Sequence, residues 1–194
     1  MKPADTTGVL LAAGLSRRFG LADKLVAIHK GRPLIAHAAE ALAAIRPRHL
    51  IGIVRPLDDA PVVHAILTEL GFTLLVNDQP EAGLSGSIAR AMDQVMKTGC
   101  SGALIVLADM PGVTAGHLCG ICDKATDDRS IVASLDGKSP SPPCLFGRAH
   151  FSALGALQGD KGARDLLSGA SLVPAAPGML GDVDTPEDLH GFDG

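Results

Sequence analysis

Short apolar runs alternate with amphipathic stretches along most of the chain. Gly8-Val9-Leu10-Leu11-Ala12, Leu50-Ile51-Gly52-Ile53-Val54, Thr73-Leu74-Leu75-Val76 and Ala103-Leu104-Ile105-Val106-Leu107-Ala108 are near-continuous apolar runs of strand length. Between them, residues 34–45 place Leu34, Ile35, Ala38, Leu42 and Ile45 on one side of a helix. Residues 62–70, 84–97 and 114–126 predict three more helices. Apolar strands separated by amphipathic helices mark a parallel sheet covered on both faces. The predicted fold is α/β: a three-layer sandwich, Rossmann-like, with a mostly parallel sheet between helices.

The rhythm changes after Ser130. Residues 131–134 and 144–146 read as strands, joined by the Pro-rich link Ser139-Pro140-Ser141-Pro142-Pro143. Two short helices, 149–157 and 163–167, a strand at Leu172-Val173 and a helix starting at Pro186 complete the pattern. The link is too short to join two domains, so residues 1–194 read as one domain.

Composition narrows the function. The chain has 194 residues, 46% of them hydrophobic, and a net charge of −4, which is too apolar and too weakly charged for disorder. No run reaches the roughly 18 apolar residues of a membrane span. The first residues carry no export-type apolar segment, so a cytoplasmic location is expected. No basic cluster is present, and five Phe with no Trp or Tyr leave little for bases to stack on. Nucleic acids and membranes are therefore not expected partners. Cys119-Gly-Ile-Cys122 lies inside a predicted helix, and Cys100 and Cys144 are scattered, which favours packing over redox or zinc chemistry. The seven His lack metal-ligand spacing and read as surface or packing residues.

In open parallel sheets, ligands bind at the carboxyl ends of strands. After the first strand comes Ala12-Ala13-Gly14-Leu15-Ser16-Arg17-Arg18-Phe19-Gly20 and then Lys24, a glycine-bracketed basic loop suited to phosphate oxygens. Its spacing is neither a Walker A motif nor the dinucleotide fingerprint. After the fourth strand, Asp109 precedes Met110-Pro111 and is placed to hold a hard divalent cation. Asp182 and Asp184 add two acids near the end, one of which is expected to face the site. A basic loop with separated carboxylates suits a metal-bridged polyphosphate.

Leu11-Ala12-Ala13-Gly14-x-Ser16-x-Arg18-x-Gly20 with Lys24-Leu25 resembles the signature of nucleotidyltransferases related to molybdenum cofactor cytidylyltransferase. The likeness continues through Gly31-Arg32-Pro33-Leu34, Gly86-Ser87-Ile88 and Leu107-Ala108-Asp109-Met110-Pro111. It ends with Gly159-Asp160-Lys161-Gly162-Ala163-Arg164 and Asp182-Val183-Asp184-Thr185-Pro186-Glu187-Asp188, covering nearly the whole chain. The resemblance implies a fold of the nucleotide-diphospho-sugar transferase type. It implies transfer of a nucleoside monophosphate from an NTP to a phosphorylated acceptor, with release of pyrophosphate. Leu11, Ala12, Ala13, Gly14, Ser16, Gly86 and Ser87 would bind the nucleotide, and Arg18, Lys24 and Asp109 would act on the triphosphate. Mg²⁺ or Mn²⁺ would sit on Asp109 with Asp184 or Asp182. Residues 1–128 would form the nucleotide-binding half. Residues 129–194 would form the acceptor half, with Asp160 and Arg164 on the acceptor.

Ala12-Ala13-Gly14 resembles the cytidylyl members, whereas guanylyl members read Ala-Gly-Gly, so CTP is the expected nucleotide. Molybdopterin is the expected acceptor and a molybdoenzyme the expected recipient. However, Ser139-Pro140-Ser141-Pro142-Pro143 departs from the Gly-rich stretch with Gly-His that the family shows there. Other acceptors, an isoprenoid precursor or a sugar phosphate, remain open, as does a non-catalytic cofactor-binding chaperone. A serine hydrolase is a further alternative, since Gly83-Leu84-Ser85-Gly86-Ser87 approaches a nucleophile elbow. Residues 78–82, however, separate Ser85 from the preceding strand.

Overall fold

The computed structural model describes residues 1–15, 19, 23–137, 139–159 and 162–191. A seven-stranded sheet carries the chain, built from β1 (Thr6–Ala12), β4 (His49–Val54), β5 (Thr73–Val76), β6 (Gly102–Leu107), β7 (Ile131–Asp136), β8 (Ser139–Gly147) and β9 (Ser171–Pro174). The order is β5-β4-β1-β6-β8-β7-β9. β5, β4, β1 and β6 are parallel, while β8 runs antiparallel to β6 and β7. The sheet is thus mostly parallel, as the apolar strands predict, with one reversed strand.

Alternation along β1 sends side chains into two cores. Leu10 and Ala12 face a core with α1 (Leu34–Ala44), α2 (Pro61–Glu69) and α4 (Ala115–Lys124). Val9 and Leu11 face the other core, with α3 (Gly83–Val95) and α5 (Phe151–Gly155). The sequence places every one of these helices, within a few residues at each end. At 163–167 the turn is a 3-10 helix, Arg164–Leu167, and the last helix is the short α6 (Asp188–Gly191).

Two features depart from the sequence reading. A small hairpin, β2 (Ile28–His29) with β3 (Arg32–Pro33), turns through Lys30 and Gly31 at φ 47° and 77°. Left-handed conformations at both central positions close a tight hairpin, and Gly31 adopts one at no steric cost. The second departure is the Pro-rich stretch, which belongs to β8 itself. β6 pairs with β8 only over residues 144–147, so Ser139 to Ser141 extend beyond β6 and pair with β7 alone. Pro142 and Pro143 fall in a register shift between Ala133 and Ser134, where no ladder donor is required.

His117 secures this shift from α4. The Ser134 hydroxyl donates to the Pro143 carbonyl at 2.9 Å, so His117 Nε2, 2.8 Å away, is the donor to Ser134 Oγ. Burial holds the His117 imidazole below its ordinary pKa.

The cysteines pack as the helical reading expects. Cys122 and Cys144 are buried free thiols, each pushed up to about 12 by burial first, far from a reactive thiolate.

Candidate nucleotide and metal site

β1 and β6 lie side by side with Leu11 opposite Leu107, so their carboxyl ends open together. Asp109 lies two residues past β6. Lys24 begins a 3-10 turn, Lys24–Val26, whose N-cap is Asp23: its Oδ1 accepts the Leu25 amide at 3.1 Å. From there the Lys24 side chain crosses to Asp109. Its Nζ donates to Asp109 Oδ2 at 2.7 Å, to the Val183 carbonyl at 2.9 Å and to Asp184 Oδ1 at 3.3 Å. An ammonium has three N–H donors, and these partners match that number.

The C-terminal segment is fixed in turn. The Val183 amide donates to the Asp109 carbonyl at 3.0 Å. Asp188 Oδ2 accepts the amides of Asp184 and Thr185, closing Thr185-x-x-Asp188 in capping-box fashion. These backbone donors hold the Asp188 carboxyl below its usual range. Residues two apart in an extended strand share a face, but 181–184 is irregular: Asp184 reaches Lys24 while Asp182 is exposed.

Burial of Lys24, only 8% exposed, opposes its charge, but the carboxylates of Asp109 and Asp184 outweigh that cost and hold the ammonium above its ordinary pKa. The other oxygen of Asp109, Oδ1, is buried without a hydrogen-bond partner among the described residues. A buried carboxylate oxygen lacking a donor is suited to a hard cation, so the pair Asp109 and Asp184 fits a divalent metal. Among the described residues no group of three or more His, Cys, Asp or Glu could hold a metal. A cation here would complete its shell with substrate oxygens and water, as Mg²⁺ commonly does.

Among the described nucleotide-binding candidates, Leu11 to Gly14 lie at the carboxyl end of β1. Leu11, Ala12 and Ala13 are buried at the end of β1. Gly14 is exposed, and a Cβ there would meet nothing within 4 Å among the described residues, which leaves its backbone open to a ligand on that side. Gly86 and Ser87 fall in the second turn of α3, with Ser87 7% exposed and its hydroxyl 3.1 Å from Asn77 Nδ2. Ser16, Arg18 and Asp160 lie outside the described residues. Arg164 is exposed and lines a cavity of about 120 Å³ walled by Leu11, Leu107, Leu84 and the Pro140–Pro142 segment. Ser85 is fully buried and accepts the Gly162 amide at 3.1 Å, so it is not presented as a nucleophile.

Three neighbours of these residues escape the sequence reading: Asp23, Arg55 and Asn77. Arg55 directly follows β4 and Asn77 directly follows β5. The rule that ligands gather at carboxyl ends of strands points to both positions, but polar residues there carry no motif of their own. Asn77 accepts the Gln79 amide at 3.0 Å while its Nδ2 serves Ser87, tying the end of β5 to the start of α3.

Residues 8–175 match the sequence profile described as the MobA-like NTP transferase domain. Purine catabolism protein PucB of Bacillus subtilis is 30% identical over 97% of this chain and 96% of its own length. Phosphoenolpyruvate guanylyltransferase of Mycobacterium marinum is 31% identical over 77% of this chain and 68% of its own length. Molybdenum cofactor guanylyltransferase of Aliivibrio salmonicida is 27% identical over 73% and 68% of the two chains. The crystal structure of Rv0371c from Mycobacterium tuberculosis superposes with a TM-score of 0.81 at 26% identity, covering 98% of each chain.

Proposed function

The chain belongs to the MobA-like NTP transferase family, and from that premise we propose that it moves CMP from CTP to the phosphate of molybdopterin. The single observation that carries the site is Lys24 Nζ set between Asp109 and Asp184 at the carboxyl ends of β1 and β6. Nucleotidyl transfer needs such a place, where positive charge stands beside growing negative charge and a metal-holding pair adjoins it.

In the reaction an oxygen of the acceptor phosphate attacks the α-phosphorus of the NTP. The bond from the α-phosphorus to the oxygen bridging it to the β-phosphate breaks, and pyrophosphate leaves with that electron pair. The acceptor phosphate is already ionised at neutral pH, so no general base is required and positioning carries the rate. The open backbone at Gly14 and the turn around Gly86 and Ser87 would receive the base and ribose. Ser16 and Arg18 would receive phosphate oxygens by likeness to the family. Lys24, kept charged by its carboxylates, stabilises the departing pyrophosphate. Asp109 and Asp184 would hold Mg²⁺ or Mn²⁺, which when bound supplies further neutralisation of phosphate charge.

Ala13 supports CTP by likeness alone: the cytidylyl members read Ala-Ala-Gly here, as Ala12-Ala13-Gly14 does, where guanylyl members carry glycine at the middle position. Two of the relatives named above are guanylyltransferases by name, so GTP is the competing nucleotide. On the acceptor side, the apolar cavity beside Arg164 suits a ring system carrying an anionic group. A molybdoenzyme would then receive the product.

The test is a pyrophosphate-release panel of CTP, GTP, ATP and UTP with Mg²⁺ or Mn²⁺, with and without molybdopterin. Release with CTP and molybdopterin is the expected result. Release with GTP alone overturns the nucleotide assignment. Tight binding of molybdopterin without release under any NTP favours a cofactor-carrying chaperone instead.

A further inference from the structure

Asp23 does two things with one carboxylate. Its Oδ1 caps the Lys24–Val26 turn through the Leu25 amide, and its Oδ2 accepts a hydrogen bond from Arg55 Nη2. Arg55 is the first residue after β4, the strand paired with β1 on the side away from β6. Both side chains are mostly covered, at 14% and 15% exposure, so the pair is shielded from screening. The Arg55 backbone is fixed as well: its carbonyl accepts from His64 Nε2, on α2, at 2.8 Å. Arg55 Nε is buried without a hydrogen-bond partner among the described residues.

Lys24 is therefore held at both ends. Its tip rests on Asp109, Asp184 and the Val183 carbonyl, and its backbone turn is fastened through Asp23 to the end of β4. A long flexible lysine gains catalytic value only when its ammonium is fixed, because a misplacement of about 1 Å can cost about 10²-fold in rate. A mostly buried ion pair adds little stability over an apolar pair of similar volume, but it does fix a position when its geometry is unique.

We propose that Arg55 is a positioning residue for Lys24, acting through Asp23 to set where the ammonium stands at the carboxyl edge of the sheet. The kinetic arm of this inference rests on the nucleotidyl-transfer reading; the structural arm does not. Asp23→Asn keeps an oxygen to cap Leu25 but discards the charge that Arg55 pairs with, so it separates the ion pair from the cap.

The experiment compares wild type, Arg55→Met, Arg55→Lys, Asp23→Asn, Lys24→Met and the Lys24→Met/Arg55→Met double variant. Positioning predicts that Arg55→Met and Asp23→Asn lower kcat by about 10- to 10²-fold, with KM for the nucleotide changed far less. Arg55→Lys should recover part of the loss. The double variant should be no slower than Lys24→Met alone, since a residue acting only through Lys24 has nothing left to position. Hydrogen exchange of the Leu25 amide, measured without nucleotide, should speed up in Arg55→Met although Asp23 is intact. Wild-type kcat in both single variants overturns the proposal, as do losses that multiply in the double variant or unchanged exchange at Leu25. If wild type turns over no NTP, the functional reading fails, and exchange at Leu25 then decides the positional claim by itself.

Discussion

Lys24 and Asp109, 85 positions apart in the chain, meet at 2.7 Å where β1 and β6 end side by side. The contact joins the basic loop after one strand to the acid after another, and the Asp184 carboxylate completes it from the last segment of the chain. The two partners contribute differently. The ammonium opposes negative charge, while the Asp109 oxygen that faces away from it is buried and unpaired among the described residues.

Replacing either partner is expected to slow turnover. Lys24→Ala and Asp109→Ala should each reduce kcat by about 10²-fold or more, as losses of transition-state charge stabilisation do. Steady-state pyrophosphate release measures this, and wild-type rates in both variants would remove them from the site.

Binding of Mn²⁺, followed by electron paramagnetic resonance without nucleotide, tests the carboxylates directly. Asp109→Asn and Asp184→Asn should each weaken Mn²⁺ binding by about tenfold or more, since each discards a charged oxygen ligand. Asp182→Asn should leave it unchanged, because Asp182 is exposed and the acid on Lys24 from this segment is Asp184.

Ala13→Gly is expected to raise kcat/KM for GTP relative to CTP, because the likeness to the guanylyl members places glycine at this position of the loop. An unchanged ratio would place nucleotide choice elsewhere on the loop.

His117 makes folding stability depend on pH. Its folded pKa lies below the ordinary 6.5, so the unfolded chain takes up the proton first. Stability is complete above pH 6.5 and falls as the pH drops toward the folded value. Urea unfolding between pH 8 and pH 5 measures the loss. His117→Gln, which keeps a donor for Ser134 but does not titrate, should flatten the profile relative to wild type.

Thiol labelling in the native state should find Cys119 and leave the others. Cys100, Cys122 and Cys144 are buried, whereas Cys119 is half-buried on α4. A thiol-disulfide reagent at pH 8 is expected to modify one thiol quickly and the other three only on unfolding. Fast reaction of Cys122 would reopen the redox reading of the Cys119-Gly-Ile-Cys122 pair.

The strands and helices were largely legible because the information is local. A run such as Leu104-Ile105-Val106-Leu107 declares a strand buried on both faces, and the spacing of Leu34, Ala38 and Leu42 declares a helix face, whatever lies elsewhere in the chain. Lys24, Asp109 and Asp184 were legible as candidates for a related reason: each follows a recognisable local pattern. The Pro-rich stretch was not legible as a strand, because whether a proline costs a ladder bond depends on which neighbour lies beside it. β6 stops short of that half of β8, which no residue of β8 announces.

The amino-acid sequence alone determined the layered fold, the basic loop and the separated acids, since side-chain periodicity and turn chemistry act over a few residues. Only the tertiary structure decided which acid meets which base. It set Asp184 rather than Asp182 on Lys24, reversed β8, and tied Asp23 to Arg55 across the end of β4. Those contacts join residues brought together by strand order and register, and that closure depends on the packing of the whole sheet rather than on any local pattern.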